Sequence, residues 1–131
     1  MHTHHRAAIA AALMLLSHAA FAQSTWQVMQ RFGLVGSWAY PCSAAPSTTN
    51  WWVTFYQGAD GRAWRSANRG TDQPKLMVAI DSAQILTTTT MALRMRDDDP
   101  NWGSANGTVS DIIMVKETGR VRTLSSRSAT G

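Results

Sequence analysis

Beyond residue 18 the sequence has no histidine, because His2, His4, His5 and His18 are the only four. Any working domain that starts after that point lacks imidazole. This excludes Ser-His-Asp and Cys-His nucleophile systems, His-ligated zinc, and a histidine general base near neutral pH. Cysteine is almost as scarce, with Cys42 the single example. A dense cationic run is missing too: apart from Arg6, Lys and Arg are scattered between Arg31 and Arg127, without the basic stripe that nucleic-acid binding uses. The excess positive charge reads as a solvated surface, and no nucleic-acid partner is expected. With no low-complexity tract, linker or internal repeat, the chain is expected to form one domain with a modest core.

The clearest apolar run is short. Residues 7–16 are rich in Ala and Leu, follow Arg6 and three histidines, and lead to Ala20-Phe21-Ala22. A basic start, an apolar middle and small residues at −3 and −1 predict a signal peptide over residues 1–22, cut before Gln23. A spanning helix needs about 20 apolar residues, whereas this run ends early at Ser17 and His18. No Cys stands at the cut, which argues against a lipid anchor. The expected product is a single β domain, residues 23–131, exported to the periplasm or beyond and without a membrane span. Loss of Arg6 lowers the formal charge of +4 by one.

Export places Cys42 in an oxidising compartment, where thiols usually pair. It is then a free buried thiol, an intermolecular bridge, or half of a disulfide whose partner is absent from this chain. The last residues, Ser128-Ala129-Thr130-Gly131, are turn-like and directly follow a strand-like segment. A chain truncated at its C-terminus is therefore expected.

Within residues 23–131, Ser24 is placed to cap a short helix with Trp26, Met29 and Phe32 on one side and Gly33 as its stop. Strand patterns follow at residues 34–40, 51–56, 62–68, 76–80, 85–96, 109–116 and 120–126, with a kink or turn at 81–83. In the second of these, Trp51, Val53 and Phe55 share one face and Trp52, Thr54 and Tyr56 the other. Gly58-Ala59-Asp60-Gly61 predicts a hairpin. The expected fold is all-β: an antiparallel meander, and hence a sandwich or a partial up-and-down barrel, with a short N-terminal helix after the signal peptide.

Candidate chemistry is sparse. In the acidic loop, Asp97, Asp99 and Asn101 fall at the first, third and fifth positions of a calcium loop. Trp102 replaces the required Gly, and Thr108 replaces the final Glu, so a solvated turn is the expected reading and no metal or cofactor is assigned. Asn106-Gly107-Thr108 fits a glycosylation sequon but reads as a tight turn. Asp60, Asp72, Asp81, Asp111 and Glu117 could supply a two-carboxylate hydrolase in number only. Six tryptophans are many for this length. Trp38 and one of Trp51 and Trp52 are assigned to the core, while Trp51, Trp52, Tyr56 and Trp64 form the candidate ligand-binding set.

The segment Gly33-Leu34-Val35-Gly36-Ser37-Trp38 resembles the Gly-x-Trp start of lipocalin-like barrels. That resemblance implies a helix before the first strand, a Trp closing one end of a barrel, and ligand binding. More of the chain resembles a family of small exported bacterial proteins with a Gly-Leu-x-Gly-Thr-Trp-x-x-Asp-Cys start and no assigned activity. Gly33 to Trp38, Cys42, Pro46 and Asn50 carry that likeness, with Pro41 in place of the acidic residue. The resemblance implies a continuation to a terminal Cys that would pair with Cys42. The expected function is a non-enzymatic exported binding protein for a small apolar or amphipathic ligand. The alternatives are a cell-envelope protein-interaction or inhibitor module and a carboxylate-only hydrolase.

Overall fold

A computed structural model describes residues 22–129; the expected leader, apart from Ala22, lies outside the described residues. The chain begins with helix α1 (Thr25–Phe32) and continues as a seven-stranded antiparallel sheet. Its strands are β1 (Gly36–Trp38), β2 (Trp52–Gln57), β3 (Ala63–Asn68), β4 (Leu76–Ile85), β5 (Thr90–Asp97), β6 (Val109–Glu117) and β7 (Arg120–Ser128). They pair strictly in chain order, so the sheet is an uninterrupted meander. It curls into a half-barrel with β1 and β7 at its two edges. Among the described residues no helix is long and apolar enough to cross a membrane.

The short helix has defined ends. Ser24 accepts a hydrogen bond from the Gln27 backbone at 3.2 Å, and the Gln27 side chain accepts one from the Ser24 backbone at 2.9 Å. This reciprocal box satisfies two amide donors that the first turn leaves free. Gly33, at φ 83°, stops the helix in the left-handed region, where a side chain would be strained. Met29 and Phe32 face the sheet and are buried together with Leu34. Each such side chain contributes about 1.5–3 kcal/mol through removal from water, which holds in place a helix too short to be stable alone.

Strand alternation then decides what the concave face carries. Val53 and Phe55 of β2, Ala63 and Ala67 of β3, Val78 and Ile80 of β4, Met91, Leu93 and Met95 of β5, and Met114 of β6 all belong to or pack against the core. Trp26, Trp38 and Trp102 pack against this cluster while remaining partly exposed. The helix covers the end of the concave face that runs along β4, and the remainder stays open.

The first strand, expected over 34–40, is confined to Gly36–Trp38, and two joints of the sheet also differ from the sequence expectation. Residues 81–83 do not end a strand: β4 runs through them with a register shift between Ile80 and Ser82. Asp81 is the extra residue of a bulge, which bends a strand long enough to follow the curl. The turn instead occupies Leu86 to Thr89, where Thr87 Oγ1 accepts from the backbones of Thr89 (3.2 Å) and Thr90 (3.0 Å). Threonine favours strands through its branched side chain, but here its hydroxyl captures the backbone and turns the chain. The predicted hairpin at Gly58 to Gly61 is present, closed by Gly61 N–H to Gly58 O at 3.0 Å and by Gly58 N–H to Arg62 O at 2.9 Å.

Candidate ligand-binding cavity

The open part of the concave face is a cavity of about 760 Å³. Its floor is built from inward-facing strand positions: Val53 and Phe55 on β2, Arg65 on β3, Met95 on β5, and Ile112 and Met114 on β6. Pairing explains why these residues meet. Phe55 sits opposite Arg65, Arg65 opposite Val78, Leu93 opposite Ile112, and Met91 opposite Met114. Side chains at directly paired positions share a face, so one strip of apolar surface runs across the half-barrel. Trp38 walls one side, and its indole Nε1–H donates to Leu34 O at 2.8 Å, which fixes the ring against the helix exit. Val121 and Thr123 of β7 wall the other.

The mouth is formed by residues 39–42, ahead of a loop that one buried amide organises. Asn50 Nδ2 lies 3.2 Å from Pro41 O, 3.1 Å from Ala44 O and 3.2 Å from Ala45 O. Trp52 Nε1–H adds a 3.0 Å bond to Ala44 O. Tyr40 projects from this rim at 90% exposure. Cys42 also lines the mouth, is exposed, and forms no disulfide within the described residues. Its thiol donates to Ala39 O at 3.1 Å.

Arg65 is the one charged side chain on the cavity floor. Burial lowers its pKa from the usual guanidinium value, and the Asp97 charge opposes that shift. Asp97 is placed two strands away by their shared partner Val78. Burial pushes its carboxyl up from the usual range, with Arg65 opposing. Among the described residues no ion pair or side-chain hydrogen bond joins Arg65 to a partner. The other cations of the lining, Arg120 and Arg122, both bond to Glu117.

The aromatic set singled out from sequence lies elsewhere. Trp52, Tyr56 and Trp64 occupy the convex face, where Tyr56 pairs directly with Trp64. Burial, and then Asp60, raise the Tyr56 pKa, and its hydroxyl approaches Met77 Sδ at 3.9 Å. The Arg62 guanidinium stacks 4.9 Å from the Trp64 ring. Trp51 precedes β2, donates to Thr48 O at 2.9 Å, and lies under Arg69 at 5.7 Å. None of the four lines the cavity. Apart from Trp38, Tyr40 and Phe55, the residues that do line it are aliphatic, Met, small or cationic, a composition that gives no local signal in a β protein.

The acidic loop is a structural joint. Asp99 is buried and caps the short 3-10 segment Pro100–Ala105, accepting from Asn101 N–H and Asn101 Nδ2, both at 2.8 Å. Its second oxygen accepts from Met77 N–H at 3.2 Å. Asn106-Gly107 forms the expected tight turn, with Thr108 N–H bonded to Ala105 O at 3.0 Å. Among the described residues no group of three His, Cys, Asp or Glu is arranged to hold a metal.

The remaining acids considered for hydrolysis are dispersed. Asp111 forms a two-pronged pair with Arg94, at 2.9 and 3.0 Å, and Asp81 one with Arg96, at 3.2 and 2.9 Å. Asp60 accepts from Arg62 N–H at 3.0 Å, and Asp72 accepts from Thr71 Oγ1 at 3.4 Å. Among the described residues no carboxylate lines the cavity. No protein-family model matches the chain, and searches of curated proteins and of solved structures likewise give no match.

Proposed function

We propose that this protein is an exported, non-enzymatic carrier that holds a small amphipathic ligand against the concave face of the half-barrel. The supporting observation is the cavity itself: about 760 Å³, floored by Val53, Phe55, Met95, Ile112 and Met114. That volume falls in the range of about 300–1,000 Å³ occupied by small-molecule sites. Apolar walls drive uptake by removing ligand surface from water, and a few polar groups fix its orientation. Export rests on the basic-apolar-small pattern of residues 1–22.

Native mass spectrometry of the chain purified from its producing cell tests this reading. The expected result is a bound small molecule that is released on denaturation, or uptake of an uncharged apolar dye by the emptied protein. A chain that carries nothing and takes up no dye overturns it.

A second reading is a protein-interaction module, favoured by β7. This nine-residue edge strand is exposed along nearly its whole length. An exposed edge is a template for strand addition by a partner. Protection of the β7 amides from hydrogen exchange in envelope extracts, absent in the purified protein, would support it; identical exchange in both would count against it.

A further inference from the structure

Arg65 gives the cavity a polarity that an uncharged apolar ligand would leave unused. It stands on β3 between the inward-facing Ala63 and Ala67, opposite Phe55 and Val78. Small neighbours leave room above the strand, so the guanidinium lies within the apolar cup. A guanidinium brings five donors in a planar fork and cannot shed its charge. Arg65 is only half-buried, so in the open cup its guanidinium depends on water unless an acceptor replaces it. Among the described residues nothing supplies one: Arg65 has neither an ion pair nor a side-chain hydrogen bond, and Asp97 acts on it only through space.

Resting on the cavity reading above, we propose that Arg65 receives the carboxylate of a single-chain amphiphile, whose hydrocarbon lies against Met95, Ile112 and Met114. The planar fork matches two carboxylate oxygens at once. Asp97 is near enough to oppose additional negative charge, so a singly charged head group suits the site better than a phosphate dianion. The cations at the opposite wall, Arg120 and Arg122, are held by Glu117 and leave Arg65 as the unengaged donor.

Equilibrium dialysis of the full chain against dodecanoate, dodecanol and dodecyl phosphate tests the assignment, with the two acids below their micelle-forming concentrations and the alcohol below its solubility limit. Dodecanoate is expected to bind roughly tenfold or more tightly than dodecanol, the scale of one charge-assisted contact. Arg65→Met is expected to erase that preference while still binding dodecanol. Arg65→Lys keeps the charge but loses the fork, and is expected to weaken dodecanoate binding several-fold with dodecanol unchanged. It serves as the deciding variant if Arg65→Met does not fold.

Equal wild-type binding of acid and alcohol overturns the Arg65 assignment and leaves the cavity reading standing. So does a preference that survives in the substituted chain. Tighter binding of dodecyl phosphate overturns the carboxylate assignment. Binding of none of the three overturns both readings.

Discussion

Lys116 of β6 donates a 2.6 Å hydrogen bond to the main-chain carbonyl of Phe32, the last residue of α1. The same ammonium lies 4.7 Å from the centroid of the Phe32 ring. One side chain thus satisfies a free carbonyl at the helix C-terminus, complements the helix dipole and covers an aromatic face. The contact spans 84 positions of sequence and ties the helix to the strand beside the cavity.

Lys116→Met keeps the length and apolar stem of the side chain but leaves that carbonyl without its donor. A loss of about 1–2 kcal/mol is expected. Urea denaturation should show a lower midpoint with an unchanged slope. An unchanged midpoint would mean that water replaces the lysine at no cost.

Asp99 joins three donors from two segments, and Asp99→Ala strips them all. The expected cost is about 1–3 kcal/mol, combining a lost cap with a half-buried amide left unpaired. Because both carboxylate oxygens are already engaged, millimolar calcium is expected to leave the melting temperature of the wild-type protein unchanged. A rise in melting temperature with calcium would assign the loop a metal.

Ile112→Trp places a large ring on the cavity floor, and its expected effect is to abolish uptake of an apolar dye while the protein stays folded. Trp51→Ala, outside the cavity, is expected to leave dye affinity within about twofold. The opposite pattern in a fluorescence titration would move the site from the concave face to the outer aromatics.

Acid is expected to weaken the sheet through its surface ion pairs. Hydrogen bonding from Arg94 holds the Asp111 carboxyl below its usual 3.8, and bonds from Arg120 and Arg122 hold Glu117 below its usual 4.5. A carboxyl depressed on folding stabilises the protein above its unfolded value, and that contribution is lost as the pH falls through the lower folded value. Melting temperature should therefore fall below about pH 4.5. The fall should be shallower in Asp111→Asn and in 1 M salt, since these pairs are exposed and screened. A melting temperature that is flat from pH 6 to pH 3 would show the pairs to be energetically silent.

If residues 1–22 are removed on export, N-terminal sequencing of the protein from its producing cell should begin at Gln23. A chain that retains Met1 in a periplasmic extract would refute cleavage.

Local chemistry made several features legible from sequence. Ser24 and Gly33 delimit α1 because capping oxygens and left-handed backbone are short-range requirements. The alternation in Met91, Leu93 and Met95 identifies a buried face because side chains alternate along any strand. The hairpin at Gly58 to Gly61 follows from residues within four positions of one another. The turn at Leu86 to Thr89 was hidden because a threonine run satisfies strand propensity and hydroxyl-backbone bonding equally well, and only pairing chooses between them.

The cavity was settled by tertiary structure alone. Nothing within a few residues of Trp52, Tyr56 or Trp64 says that they face outward, because a strand apolar on both sides acquires an inside only when the sheet curls. Arg65 reads as an ordinary surface cation until its partners Phe55 and Val78 place it inside; Ala63 and Ala67, two positions either side, are the only local trace. Sequence by itself determined the β class, the alternation of the strands, the helix ends and the absence of histidine chemistry beyond residue 18. Which face became a cup, and which charge stands in it, depended on curvature and register between residues far apart in the chain.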